Sequence, residues 1–104
     1  MSKDKDSDWV TVYVTVGNSD HRLSQSRWAD FTEAVGYVVL DYEMEVYGPW
    51  FTPSDSSRQS ACWGVEVERQ ALAGFRSELD LLRQQFGQDT IAFAVAELEM
   101  IGGQ

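Results

Sequence analysis

The chain has 104 residues, 43% hydrophobic and 12% aromatic, with 17 acids against 8 bases and a formal net charge of −9. That size and apolar content suit one folded domain rather than a disordered chain. The charge opposes binding to nucleic-acid phosphates and anionic membranes and favours a basic partner.

Residues 1–7 are polar and aperiodic, which predicts a flexible tail before a single domain over 8–104. The opening "MSKDKDSD" has no apolar stretch of the kind a signal peptide needs, and no window approaches the ~18 apolar residues of a membrane span. One cysteine, Cys62, allows no internal disulfide, so a cytoplasmic location is expected.

"WVTVYVTVG" alternates with period two, placing Val10, Val12, Val14 and Val16 on one face and Trp9, Thr11, Tyr13 and Thr15 on the other. β-Branched and aromatic residues in that pattern predict a strand, stopped by the turn residues "GNSD". Ser24 is an N-cap candidate, with Leu23 before it placed to staple on Trp28. Trp28, Phe31, Val35, Val38 and Tyr42 form the apolar stripe of a helix, weakened toward its end by Gly36 and the Val38–Val39 pair.

"EMEVYG" resumes alternation until Pro49, which ends pairing or confines it to an edge. "ACWGVEVE" predicts another strand with Ala61, Trp63, Val65 and Val67 inward. Leu72, Phe75, Leu79, Leu82 and Phe86 make a second amphipathic helix, closed by Gly87 as a left-handed cap. A last strand over "DTIAFAVAELEMI" points Ile91, Phe93 and Val95 inward, then shifts to Leu98 and Met100, which suggests a bulge near Ala96.

The order β-α-β-β-α-β predicts an α+β, ferredoxin-like domain. Its sheet would be four-stranded and antiparallel, in spatial order 4-1-3-2, with both helices on one face. In that arrangement three acidic words, Glu43/Glu45, Glu66/Glu68 and Glu97/Glu99, collect at one end of the sheet; they hold six of the eight glutamates. Clustered like charge costs stability, so these carboxylates are read as a solubilising strand end or as a docking surface for a basic protein.

The opposite end carries "GNSDHR" and an oversized hairpin loop over residues 52–60. Trp50 and Phe51 at the loop's base are read either as folded onto the sheet edge or as an exposed aromatic anchor. Trp9, Tyr13, Tyr47 and the small Ala92 and Ala94 leave an uncovered, partly apolar face. A homodimer through that face or an edge strand is one outcome of such a surface.

Catalytic and cofactor chemistry find little support. Asp20, His21 and Cys62 can be assembled on paper, but no nucleophile elbow or family signature accompanies them. No glycine loop cradles phosphate and no ligand spacing suits a metal, so neither cofactor nor metal is expected. RNA-binding sheets of similar outline need a basic, aromatic third strand; here that strand presents Cys62, Gly64, Glu66 and Glu68.

"VTVGNSD" followed by "RWADF", and the late "QDTIAFAVAE", resemble small proteins of bacteriophages and their actinobacterial hosts. The resemblance implies a host-directed or defence-related binding role. The expected function is therefore a non-enzymatic acidic interaction module, such as a phage-encoded inhibitor of a host defence or nucleic-acid-handling protein. The alternatives are a nucleic-acid mimic filling a basic groove, and a small dimeric enzyme using Asp20 and His21.

Overall fold

Val10, Val12, Val14 and Val16 are almost wholly buried, whereas Trp9 and Tyr13 between them remain 39% exposed. This alternation defines β1 (Trp9–Gly17), the strand around which the sheet is built. The computed structural model describes residues 8–18, 23–53, 58–97 and 101–102. The expected tail over 1–7 and the suggested inward shift to Leu98 and Met100 lie outside the described residues.

After β1 the chain forms α1 (Gln25–Tyr42), β2 (Glu45–Val46), β3 (Trp50–Phe51) and β4 (Ser60–Glu68). A short 3-10 turn (Arg69–Ala71), α2 (Leu72–Gln85) and β5 (Ala92–Ala96) complete it. The class is α+β, with two helices and an antiparallel sheet in the order β2–β4–β1–β5; β3 also pairs with β4. β1 runs against β4 from Trp9↔Glu68 to Gly17↔Ser60 and against β5 from Thr11↔Ala96 to Thr15↔Ala92.

The second predicted strand is two short pieces rather than one. Met44 N–H donates to the Glu66 carbonyl and Tyr47 N–H to the Gly64 carbonyl, so pairing with β4 begins as expected. Gly48 and Pro49 then interrupt it, because proline has no N–H to donate to a ladder. Pairing resumes at Trp50↔Cys62 and Phe51↔Ala61 and is clamped at Thr52, whose N–H donates to the Ser60 carbonyl at 3.0 Å. Pairing thus reaches Thr52 and Ser60, the two ends of the expected loop.

α1 begins where predicted: the Ser24 hydroxyl accepts from Arg27 N–H at 3.2 Å. It runs through Gly36 without breaking; a Cβ there would stand 3.8 Å from Trp63 Nε1, an ordinary van der Waals contact. Its fully buried face is Trp28, Phe31, Val35 and Val39, with Val38 and Tyr42 only partly covered. Gly87 closes the end of α2 at φ 65°, the left-handed cap expected of it.

One core lies between the valine face and both helices. Phe31 meets Phe86 at 5.0 Å, Phe75 meets Phe93 edge-on at 5.4 Å, and Tyr42 stacks on Phe75 at 5.0 Å. The Tyr42 hydroxyl also donates to Glu78 at 2.6 Å, tying α1 to α2. These contacts leave the opposite face of the sheet with no layer over it among the described residues.

Asn18 serves as more than the turn residue that "GNSD" suggests. It is fully buried, and its Nδ2 donates to the Leu23 carbonyl at 3.0 Å and to Gln59 Oε1 at 3.1 Å. Its Oδ1 accepts from Leu23 N–H, and its own N–H donates to the Gln59 carbonyl. Gln59 and Gln25 exchange a further pair of amide hydrogen bonds, so one polar cluster joins the end of β1, the start of α1 and the hairpin loop.

Two stability measurements check this account by urea unfolding. Phe31→Ala is expected to cost about 3–5 kcal/mol, as a large side chain removed from a closed core. Asn18→Ala is expected to cost at least ~1–3 kcal/mol, because Leu23 N–H is left buried without its acceptor. A loss below a few tenths of a kcal/mol at Asn18 would remove the polar cluster from the account.

Candidate functional site: the open sheet face

The helices cover one face of the sheet, so alternation delivers every second strand residue to the other. From β1 these are Trp9, Thr11, Tyr13 and Thr15; from β4, Cys62, Gly64, Glu66 and Glu68; from β5, Ala92, Ala94 and Ala96. β2 adds Glu45, paired with Glu66, and β3 adds Trp50, paired with Cys62.

Gly64 is the floor of an aromatic cluster. A Cβ on it would meet Tyr13 Cε1 at 3.0 Å and Trp50 Cζ3 at 3.2 Å, so two rings converge above a position without a side chain. The Trp50 indole also lies across Gly48, where a Cβ would fall 2.6 Å from the ring. Both glycines thus allow Trp50 to lie down on the sheet while remaining 51% exposed. Tyr47 joins from the edge, 46% exposed, with Tyr13, Glu45 and Glu66 around its hydroxyl.

Among the described residues no ion pair neutralises the carboxylates beside these rings. Glu45 stands directly across from Glu66, an arrangement that costs up to ~1 kcal/mol when like charges oppose. Glu66 accepts from the Thr11 hydroxyl at 3.3 Å, a neutral donor that leaves the charge in place. Glu68 pairs across the sheet with Trp9 and accepts from Gln70 at 3.1 Å. No lysine or arginine occupies a strand position of this face among the described residues. Partial burial, and then hydrogen bonding to Glu66 and the nearby negative charge, raise the Tyr47 phenol above its ordinary 10.

The structure sorts the predicted site residues into three groups. Trp9, Tyr13, Tyr47, Trp50, Glu45, Glu66 and Glu68 share the open face. Three others leave it. Glu43 is the C-cap of α1 instead of a strand residue, its N–H donating to the Val39 carbonyl. Glu97 follows β5 one residue past Ala96 and ion-pairs with Arg69 at 3.3 Å. Phe51 lies on the helix-side face, edge-on to Trp63 at 6.0 Å, because adjacent strand residues point to opposite faces. Trp50 and Phe51 therefore point to opposite faces, and both stay more than half exposed. Asp20, His21 and Glu99 lie outside the described residues.

Cys62 is half-buried on the open face, its sulfur accepting from the Thr15 hydroxyl at 3.4 Å. Among the described residues no group of three or more His, Cys, Asp or Glu side chains could hold a metal ion. The residues that sequence reasoning missed are Gly48 and Gly64. A glycine inside an alternating strand is the signal that marks a close approach, and at Gly64 the approaching groups are aromatic rings.

A spectrophotometric titration checks the electrostatics. The Tyr47 contribution to stability is complete below pH ~10 and is lost as pH rises through its raised native value. Glu66→Gln is expected to bring the Tyr47 midpoint back toward 10, since it removes both an acceptor and a charge; an unchanged midpoint would dissociate the two side chains. Gly48→Ala is expected to displace the Trp50 ring and red-shift tryptophan emission while the far-ultraviolet dichroism is kept. No family model, curated protein or solved structure matches the chain, so its functional reading rests on this face.

Proposed function

We propose that the protein is a non-enzymatic interaction module that binds a basic protein through its open sheet face. The observation that carries the reading is the juxtaposition of Tyr13, Tyr47 and Trp50 with Glu45 and Glu66, uncompensated by any strand base among the described residues. Exposed indole and phenol faces attract guanidinium and ammonium groups, each contact contributing about 0.5–1 kcal/mol. Adjacent carboxylates add charge-assisted hydrogen bonds and steer a cationic partner during encounter. Arginine suits such a place best, because its planar group stacks and forks at once.

We read the architecture as ferredoxin-like: β1 lies between β4 and β5, β2 stands at an edge, and all neighbours are antiparallel. A host-directed role of the kind that small phage proteins carry out in the cytoplasm accords with a small acidic module of this shape. The nucleic-acid-mimic alternative draws on a row of carboxylates, and that row loses Glu43 and Glu97 to other duties. The enzyme alternative draws on Asp20 and His21, outside the described residues.

Calorimetric titration with an arginine-rich peptide tests the reading. Trp50→Ala and Tyr13→Ala are each expected to weaken binding about two- to five-fold, following the cation–π contribution. Glu45→Gln with Glu66→Gln is expected to weaken it further and to flatten its salt dependence. Tyr37→Ala, on the exposed side of α1, is expected to change nothing. Binding that is indifferent to Trp50 and Tyr13, or equally sensitive to Tyr37, would refute it.

A further inference from the structure

The two edges of the sheet are treated differently. The β2–β3 edge is interrupted by Gly48 and Pro49 and carries Glu45, devices that deter another strand from pairing. The β5 edge has neither proline nor charge: Ala92–Ala96 reads AFAVA, pairs among the described residues with β1 alone, and leaves Val95 40% exposed.

This segment matches itself in reverse. Antiparallel pairing centred on Ala94 sets Ala92 against Ala96, Phe93 against Val95 and Ala94 against its own copy. A two-fold axis through Ala94 perpendicular to the sheet preserves the faces. Phe93 and Val95, whose β1 partners Val14 and Val12 are buried, then stay on the helix side in both copies. The small alanines stay on the open side. Because the axis passes through a residue, the hydrogen-bond parity is satisfied whichever way the Ala94 amide points.

One charge pair suits this register. Pairing about Ala94 sets Glu97 of one copy against Ile91 of the other, on the side where Arg76 lies. The Arg76 guanidinium sits 5.0 Å from the Phe93 ring centroid and has no carboxylate partner among the described residues. The shallow groove there, about 420 Å³, sets apolar Leu79, Ile91 and Phe93 beside two cations, Arg76 and Arg83, and two carboxylates, Asp80 and Asp89. The Arg69–Glu97 pair is exposed, a kind that holds little energy against exchange.

We infer that β5 is a self-association edge, through which two copies join antiparallel about Ala94 into one continuous sheet. Both open faces then lie on the same side of the joined sheet. Gly64 of one copy and Gly64 of the other stand about 24 Å apart, from five strand spacings of ~4.8 Å. The assembled protein presents two aromatic–carboxylate clusters to one partner or two, and a partner with two basic segments would gain in avidity. The inference rests on the β5 edge alone and does not require the open face to bind anything.

The test combines mass with register. Light scattering across a concentration series is expected to give twice the mass of the chain, and Val95→Glu, which sets a charge against Phe93 of the other copy, to give the monomer. In a Cys62→Ser background, Ala94→Cys is expected to oxidise to a covalent dimer. Its Cα atoms would lie ~4.5–5.5 Å apart across the axis, inside the ~4.4–6.8 Å a disulfide spans. Ala92→Cys alone is expected to cross-link poorly, and a mixture of Ala92→Cys with Ala96→Cys well. Circular dichroism of each variant separates misfolding from dissociation. A monomer at all concentrations, a Val95→Glu variant that remains folded and dimeric, or a folded Ala92→Cys variant linking as readily as Ala94→Cys would overturn the inference.

Discussion

The whole structure depends on β1 being the strand that both halves of the sheet share. Its four valines bury against the two helices, and its two edges hold β4 on one side and β5 on the other. A one-residue slip in either pairing would exchange the valines for Trp9, Thr11, Tyr13 and Thr15. Such a slip would put hydroxyls and a phenol into the core without partners, which is costly. The register is therefore held by burial along nearly the full length of the strand.

The uncovered face is the other consequence of the same constraint. With both helices on the valine side, rings and carboxylates at the odd positions of β1 and their cross-strand neighbours must face water or a partner. Large aromatic side chains beside opposed glutamates are an expensive way to build a merely solvated surface. Glu45 opposite Glu66 raises the energy of the isolated protein, and a cation arriving between the rings would relieve it. This repulsion is what connects the fold to the proposed binding role. Its complement is the polar cluster at the far end, where Asn18, Gln25 and Gln59 satisfy one another and need no partner.

Secondary structure was largely legible because each element announces itself by period: two in "WVTVYVTVG" and "ACWGVEVE", three and four in the helices. The site was legible in part. Placing Trp9, Tyr13, Tyr47, Glu45, Glu66 and Glu68 outward required only strand alternation and a knowledge of which face is buried. The errors came at element ends, where alternation no longer applies. Glu43 serves as the C-cap of α1, which runs to Tyr42, and Phe51 falls on the helix-side face, still 55% exposed, because the pairing with β4 shifts by one residue between Val46↔Val65 and Trp50↔Cys62.

By itself, the sequence determined the α+β class, the buried valine face, the helix caps at Ser24 and Gly87, and the excess of carboxylate over cation. All of these follow from local spacing and from the chemistry of single residues. Only the tertiary structure decided that Gly48 and Gly64 bring Trp50 down beside Tyr13, that Trp50 and Phe51 part to opposite faces, and that Asn18 closes a buried polar cluster. Each of those depends on contacts between residues far apart in the chain. Which side chain lies over a glycine is set by the register of two strands and the space between them, and no periodicity within one strand contains that information.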